Sequence, residues 1–173
     1  SHPPDPEPPA GKIAAAADLI SNAQNPVILA GNGVVRSHAS RRLCEFADHM
    51  NIPVANTFMP KGVIPFRHRC ALGSAGLQST DYVGCGFDRA DVIICVGYDL
   101  VEYHPYLWHP DRDRKIIHID HSPAEVDAHY PVAVGVTGDI KLSLERIAQQ
   151  ASPHEGKHIR PLRERLVEEM NQN

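Results

Sequence analysis

A Gly-Asn-Gly turn is the first place in this sequence where residue type and spacing could bind a ligand. Gly31-Asn32-Gly33 follows the apolar run 27–30 and precedes a helical pattern, as the glycine-rich turn of a dinucleotide-binding fold does. Two parts of that fingerprint are missing. Arg36 stands at the third glycine position, and Asn56 ends the next apolar run, where an acid would hold a ribose. We therefore favour a tight turn with positive φ over an NAD site, and an approach to another nucleotide stays open.

The loop after the most apolar run of the chain carries the densest set of polar and aromatic side chains. The run Val92–Val96 predicts a buried strand. Gly97-Tyr98-Asp99 follows it, then acidic, aromatic and proline residues, with Trp108 shortly afterwards. This composition is equally typical of a surface loop packed by its own aromatic rings and of a ligand-binding or interface loop.

Two other patterns begin like catalytic motifs and then depart from them. Gly73-Ser74-Ala75-Gly76 is similar to a nucleophile elbow, but Leu72 occupies the first glycine position, so we predict a loop that brings backbone close to a ligand. Gly138-Asp139-Ile140 begins like a magnesium–diphosphate motif but lacks its second glycine, which favours Asp139 as a helix cap. The 4 cysteines and 11 histidines show no C-x-x-C or H-E-x-x-H spacing. We expect no catalytic residue and no metal site in this chain.

The elements that must position these groups alternate between short apolar strands and amphipathic helices. Strands are predicted at 27–30, 54–56, 92–96, 116–120 and 132–136, and helical spacing is found at 13–20, 39–50, 81–89, 140–148 and 159–170. A capping box at Ser122 predicts one more helix, and the stretch 57–79 is expected to be irregular. The alternation predicts an α/β fold, a three-layer Rossmann-like parallel sheet of five to six strands with helices on both faces.

In such a fold ligands bind outside the carboxyl ends of the strands. The residues near these ends are therefore the candidates for a nucleotide pocket, and the same set is compatible with an empty one. The candidates are Gly31, Asn32, Gly33, Thr57, Gly73, Ser74, Gly97, Tyr98, Asp99 and Asp120.

Composition excludes some classes of function. The chain has 173 residues, with 17 Lys and Arg against 21 Asp and Glu and a net charge of −4. An acidic balance argues against a dedicated nucleic-acid-binding protein, and no apolar run approaches the roughly 18 residues of a membrane-spanning helix. We expect a soluble cytoplasmic protein with neither nucleic acid nor membrane as partner.

The chain resembles the central domain of thiamine-diphosphate-dependent enzymes, most of all acetolactate synthase. The resemblance is carried in order by the segments 25–33, 51–62, 90–97 and 117–125 and by Gly138-Asp139. The segment 97–105, followed by Trp108, is similar to the G-Y-x-P-[IV]-E-Y-x-P pattern of the catabolic, FAD-independent synthases. Leu100 departs from this pattern, because it replaces the usual proline.

This resemblance implies a DHS-like NAD/FAD-binding domain within a transferase that converts two pyruvate molecules to 2-acetolactate and CO₂. In the family the activating glutamate lies in an N-terminal domain, and the thiamine diphosphate and Mg²⁺ site lies in a C-terminal domain. The chain alone is therefore expected to bind neither and to be inactive. Asp99 replaces the arginine of FAD-containing synthases, so FAD binding is doubtful.

The resemblance also implies partners and boundaries. The partners are the missing N- and C-terminal domains and further copies of the parent, as a dimer or tetramer. Residues 1–11, with five prolines in the first nine positions, would be a linker, 12–150 the central domain, and 151–173 a C-terminal helix leading to the missing domain. Two alternatives stay open: the central domain of an oxalyl-CoA or indolepyruvate decarboxylase type of enzyme, and a stand-alone nucleotide-binding module.

Overall fold

The described residues of the chain fold around a parallel sheet. A computed structural model describes residues 5–57, 63–75, 89–109 and 113–172. The strands among these residues are β1 (Pro26–Ala30), β2 (Val54–Thr57), β3 (Ala71–Ala75), β4 (Val92–Val96), β5 (Lys115–Asp120) and β6 (Val132–Thr137). The helices are α1 (Ala10–Asn22), α2 (Asn32–Arg36), α3 (Ser40–Met50), α4 (Pro105–Trp108), α5 (Ile140–Gln150) and α6 (Ile159–Gln172).

The six strands lie in the order β3-β2-β1-β4-β5-β6, and every neighbouring pair is parallel. The two central strands are buried at all five of their positions, because layers cover both faces of a parallel sheet. Their register sets Pro26 opposite Val92 and Ala30 opposite Val96, so both strands end at the same level. The predicted α/β fold with a Rossmann-like sheet is confirmed.

Alternate side chains of the central strands enter two separate cores. Ile28 and Ile94 point into the core covered by α1, α3 and α5, whereas Leu29 and Cys95 point into the other. The helices of the first layer bury apolar stripes at helical spacing, such as Leu43, Phe46, Ala47 and Met50 of α3. Complete burial of one such side chain contributes about 1.5–3 kcal/mol. The second core contains α6 residues together with Tyr98, Trp108 and Tyr130.

One strand was not predicted from the sequence. Residues 71–75, within the stretch expected to be irregular, form β3 at the edge of the sheet and pair with β2. Its small residues lack the β-branched pattern of a strand, so hydrogen bonding to β2 and contact with α6 define it. Arg163 of α6 donates hydrogen bonds to the carbonyls of Ala71 and Phe66.

The helix predicted from the capping box at Ser122 is wrong. Residues 121–131 are irregular, and the Ser122 carbonyl lies 3.4 Å from Nε2 of His118 instead of opening a helix. No apolar stripe follows the box, and Pro131 comes too soon for a helix to continue. The predicted helix at 81–89 lies outside the described residues, apart from its last position.

The proline-rich start packs onto the domain. The carbonyl of Pro6 accepts a hydrogen bond from the Asp139 N–H at 2.9 Å, Pro8 is buried, and Glu7 pairs with Arg146. Helix α1 begins at Ala10, inside the predicted linker. Residues 5–9 of the predicted linker precede this helix and lie against the carboxyl end of β6.

Candidate functional site

The order of the strands places a crevice between the ends of β1 and β4. The chain runs outward from β1 to β3 on one side and from β4 to β6 on the other, so the loops after β1 and β4 diverge. In open parallel sheets this point of reversal is where ligands bind. Gly31-Asn32-Gly33 follows β1, and Gly97-Tyr98-Asp99 follows β4, so the structure brings these two predicted segments together.

The crevice needs glycines because the backbone after β1 is in direct contact with the backbone after β4. Gly33 donates a hydrogen bond to the Gly97 carbonyl at 2.8 Å, and Gly31 donates to the Val96 carbonyl at 2.9 Å. A Cβ on Gly31 would lie 2.5 Å from the Gly97 oxygen, and one on Gly33 would lie 2.7 Å from the Gly97 Cα. Gly31 has a negative φ, at −114°. Gly97 is the glycine of this crevice with a positive φ, at 58°. The interpretation of 31–33 as a turn with positive φ is therefore wrong.

A carboxylate that sequence reasoning missed lies in the crevice. Oε2 of Glu102 accepts hydrogen bonds from the Asn32 N–H at 2.9 Å and from the Thr57 hydroxyl at 2.5 Å. Its Oε1 accepts from the Asp99 N–H at 3.2 Å. The half-buried Glu102 thus joins the segments after β1 and β4 to the last residue of β2. A signal was present in the sequence, since Glu102 is the glutamate of the G-Y-x-P-[IV]-E-Y pattern.

The Asp99 side chain accepts a hydrogen bond from within its own loop. Its Oδ1 accepts a hydrogen bond from the Val101 N–H at 3.1 Å, as in an Asx turn. Together with Arg36, Asp120 and Glu125 it lines a cleft of about 310 Å³ above β4 and β5. Three carboxylates against one guanidinium make this cleft unfavourable for a phosphate.

Tyr98 is a packing residue. Its hydroxyl donates to the Tyr103 carbonyl and accepts from Nε1 of Trp108 at 3.2 Å, and its ring meets the Trp108 ring edge-on at a centroid distance of 5.7 Å. Burial raises the pKa of Tyr98, so the phenol keeps its proton. The aromatic residues after β4 therefore pack on one another and on Tyr130.

Asp120 and the neighbouring His118 close the far side of the cleft. Oδ1 of Asp120 accepts from the His121 N–H at 2.7 Å and lies 2.8 Å from Nδ1 of the same residue. Burial lowers the pKa of His118, and the Asp120 carboxylate opposes part of that shift. The neutral His118 ring lies 2.8 Å from the Tyr130 hydroxyl through Nδ1. Burial also raises the pKa of Cys95, beneath this ring pair, to about 12, so that thiol is unreactive.

Gly73 and Ser74 lie apart from the crevice. Both belong to the edge strand β3, and β2 lies between that strand and β1. Ser74 accepts a hydrogen bond from the Asn56 amide at 2.7 Å, and Asn56 also donates to the Thr57 carbonyl. Asn56, the residue at the ribose position of the fingerprint, therefore holds the edge strand.

Two further observations concern only the described residues. No group of three or more His, Cys, Asp or Glu side chains in 5–57, 63–75, 89–109 and 113–172 could hold a metal ion. Among the same residues, every helix is too short or too polar to cross a membrane.

Comparison with known proteins gives a consistent result. Residues 13–147 match the family model described as "Thiamine pyrophosphate enzyme, central domain". A Methanocaldococcus jannaschii protein named "Probable acetolactate synthase large subunit" is 38% identical over 133 residues, which cover 75% of this chain and 22% of that protein. Acetolactate synthase of Mycobacterium leprae is 35% identical over 133 residues, covering 75% of this chain and 21% of that protein. The chain thus spans about a fifth of the length of these curated relatives.

A solved structure shows the same fold. Benzoylformate decarboxylase from Polynucleobacter necessarius superposes with a TM-score of 0.69 over 92% of this chain and 30% of that chain. The sequence identity is 20%, so this likeness concerns the fold alone.

Proposed function

Because this chain belongs to the family of thiamine pyrophosphate enzyme central domains, we propose that it is the central domain of an acetolactate synthase. The observation that carries the proposal is the match over residues 13–147 together with two relatives that bear that name. The parent reaction would join two pyruvate molecules, with loss of CO₂, into 2-acetolactate.

The described residues do not fit the cofactor of that reaction. Thiamine diphosphate, when bound, supplies the electron sink for decarboxylation. Its diphosphate is held through Mg²⁺, which needs several oxygen ligands, and the described part of the chain offers no cluster of three ligating side chains. Asp139, the motif-like acid, instead accepts a hydrogen bond from the Leu142 N–H at 2.9 Å and caps α5. We propose that the cofactor and the chemistry belong to N- and C-terminal domains of the parent.

The proposed role of this chain is to hold those domains and the subunits of the parent in place. Val101 is 88% exposed and Val126 is fully exposed, on two loops that the His104–Asp127 pair joins at 3.1 Å. Large apolar side chains in such positions favour contact with another domain or subunit. We expect the parent to be a dimer or tetramer that works in the cytoplasm.

Two other functions are compatible with the same fold. One is a decarboxylase parent, of the oxalyl-CoA or indolepyruvate type, since benzoylformate decarboxylase shares the fold. A stand-alone nucleotide-binding module is the other, and it predicts ligand binding by this chain without any further domain.

The test compares the isolated chain with the full reading frame that contains it. With thiamine diphosphate and Mg²⁺, the full protein should form acetolactate from pyruvate, and the isolated chain should give neither product nor heat of thiamine diphosphate binding in calorimetry. CO₂ release from another 2-oxo acid without acetolactate would favour the decarboxylase alternative. Tight thiamine diphosphate binding by the isolated chain would contradict the scaffold role.

The subunit contact can be tested separately in the full protein. Val101→Asp should shift the oligomer toward smaller species in sedimentation velocity, since it places a charge in an apolar contact. Val35→Asp is the matched control, because Val35 is also exposed, at 47%, but lies on α2. Equal dissociation of both variants, or of neither, would contradict a contact at Val101.

A further inference from the structure

The crevice between β1 and β4 is already occupied by an anion of the chain itself. Three donors from three separate segments converge there: the N–H of Asn32 after β1, the hydroxyl of Thr57 at the end of β2, and the N–H of Asp99 after β4. All three bind the carboxylate of Glu102. Backbone N–H groups and hydroxyls beside a glycine turn are the same donors that nucleotide-binding folds use for phosphate oxygens.

The position of the carboxylate matters as much as its partners. A Cβ built on Gly31 would lie 2.9 Å from Oε2 of Glu102, so the carboxylate rests against the bare Cα of that glycine. In a dinucleotide-binding turn, a glycine without a side chain is what lets the pyrophosphate come close to the backbone. Glu102 therefore takes both the space and the hydrogen-bond donors that a pyrophosphate would need.

We infer that Glu102 is an internal substitute for a ligand phosphate, and that it is the residue that excludes pyrophosphate-bearing nucleotides such as FAD, NAD and ADP from this crevice. The inference stands on the geometry of the crevice and does not depend on the activity of the parent enzyme. It replaces the explanation based on Asp99, whose Oδ1 is held by the Val101 N–H of its own loop.

Removal of the carboxylate should uncover the three donors. In Glu102→Ala, the Asn32 N–H, the Asp99 N–H and the Thr57 hydroxyl lose their acceptor and become available to an external anion. Charge-assisted hydrogen bonds to phosphate oxygens are strong enough to give measurable affinity. The same variant also removes the like charge that repels a phosphate.

The experiment is calorimetric titration of the chain with inorganic pyrophosphate and with ADP, without divalent cations. Glu102→Ala should bind pyrophosphate at least about tenfold more tightly than the wild type, an effect of the size expected for a few charge-assisted hydrogen bonds. Glu125→Ala is the matched control. It removes one negative charge from the same edge of the sheet and leaves the bonds of Glu102 to Asn32 and Thr57 intact, so it should behave as the wild type.

Several outcomes would overturn the inference. Wild type that binds pyrophosphate as tightly as Glu102→Ala would show that the crevice is open. No binding by Glu102→Ala, or an equal gain in Glu125→Ala, would show that Glu102 does not decide access. If Glu102→Ala does not fold in chloride buffer, refolding in phosphate at equal ionic strength is the readout. Recovery of folded variant in phosphate alone supports the inference, and an equal yield in both buffers contradicts it.

Discussion

Replacement of Gly97 by alanine tests whether the crevice depends on direct backbone contact. Gly97 has φ 58°, a conformation that costs an L-residue with a side chain about 1–2 kcal/mol. The new Cβ would also lie 2.4 Å from the Val34 nitrogen and 2.7 Å from the carbonyl carbon of Gly33, both of which are backbone atoms. Overpacking of this kind costs about 1–3 kcal/mol. We therefore expect Gly97→Ala to lower the free energy of unfolding by about 2–5 kcal/mol.

Urea unfolding followed by far-UV circular dichroism measures this loss, with a fall in Tm of roughly 4–20 °C as a second readout. Two other glycines separate the causes. Gly73→Ala has φ 87° but its nearest neighbour, the Phe66 ring, is 3.8 Å away, so it should cost only about 1–2 kcal/mol for the backbone conformation. Gly11→Ala, in α1 with nothing within 4 Å, should leave stability unchanged or raise it by up to about 1 kcal/mol.

The order of these three variants is the decisive result. If Gly97→Ala costs no more than Gly73→Ala, the close approach of the two backbones does not contribute, and the packing argument for the crevice is refuted. If Gly97→Ala is as stable as Gly11→Ala, the conformational argument fails as well.

Three further predictions concern residues around the crevice. Tyr98→Phe removes a buried hydroxyl that bonds Tyr103 and Trp108, and should cost about 1–3 kcal/mol of unfolding free energy in urea titrations. Asp139→Ala removes the cap of α5 and should cost about 1 kcal/mol by the same measurement. Burial lowers the pKa of His118 in the folded chain. Below about pH 6.5 this histidine therefore takes up a proton more readily in the unfolded chain than in the folded chain. Stability should therefore fall as the pH is lowered from 7 to 5, and His118→Asn should flatten that dependence in Tm measured against pH.

Each of these has a control and a contradicting result. Tyr103→Phe should change stability little, because the Tyr103 hydroxyl makes no hydrogen bond within the described residues. Equal losses in the two tyrosine variants would contradict the role of the Tyr98 hydroxyl. Asp139→Asn can still cap α5, so a loss as large as that of Asp139→Ala would contradict the capping assignment. An unchanged pH dependence in His118→Asn would show that other groups cause it.

Sequence patterning predicts the sheet well where burial decides the structure. β1 and β4 are continuous apolar runs, because both faces of these strands are covered. The edge strand β3, with the sequence Ala-Leu-Gly-Ser-Ala, carries no such run and is formed by hydrogen bonding to β2, which no single-segment pattern shows. The capping box at Ser122 fails for the opposite reason. A local start signal cannot form a helix unless an apolar stripe follows for the core to bury.

Sequence reasoning named the segments that form the crevice but did not point to Glu102, and the role of the crevice as a ligand site stays a prediction. The rule that ligands bind at the carboxyl ends of parallel strands brought together the segments around Gly31 and Gly97. Sequence reasoning did not identify Glu102, because long stretches of chain separate it from the Asn32 and Thr57 donors. A contact of that kind can be recognised only once the order of the strands in the sheet is known. Asp99, the residue chosen from the sequence, is adjacent to Glu102 and bonds locally instead.

The strand order also determines when each strand can pair with its neighbours during synthesis on the ribosome. β1 can pair with β2 soon after both emerge, but its other edge must wait for β4, where Pro26 finally meets Val92. At about 5–20 residues per second, the intervening stretch takes roughly 3–12 seconds to translate. During this time a nascent chain presents the bare, fully apolar edge of β1, which is a template for pairing with other chains. Translation pauses between β3 and β4 would lengthen that exposure, whereas chaperones that shield extended apolar segments would shorten it.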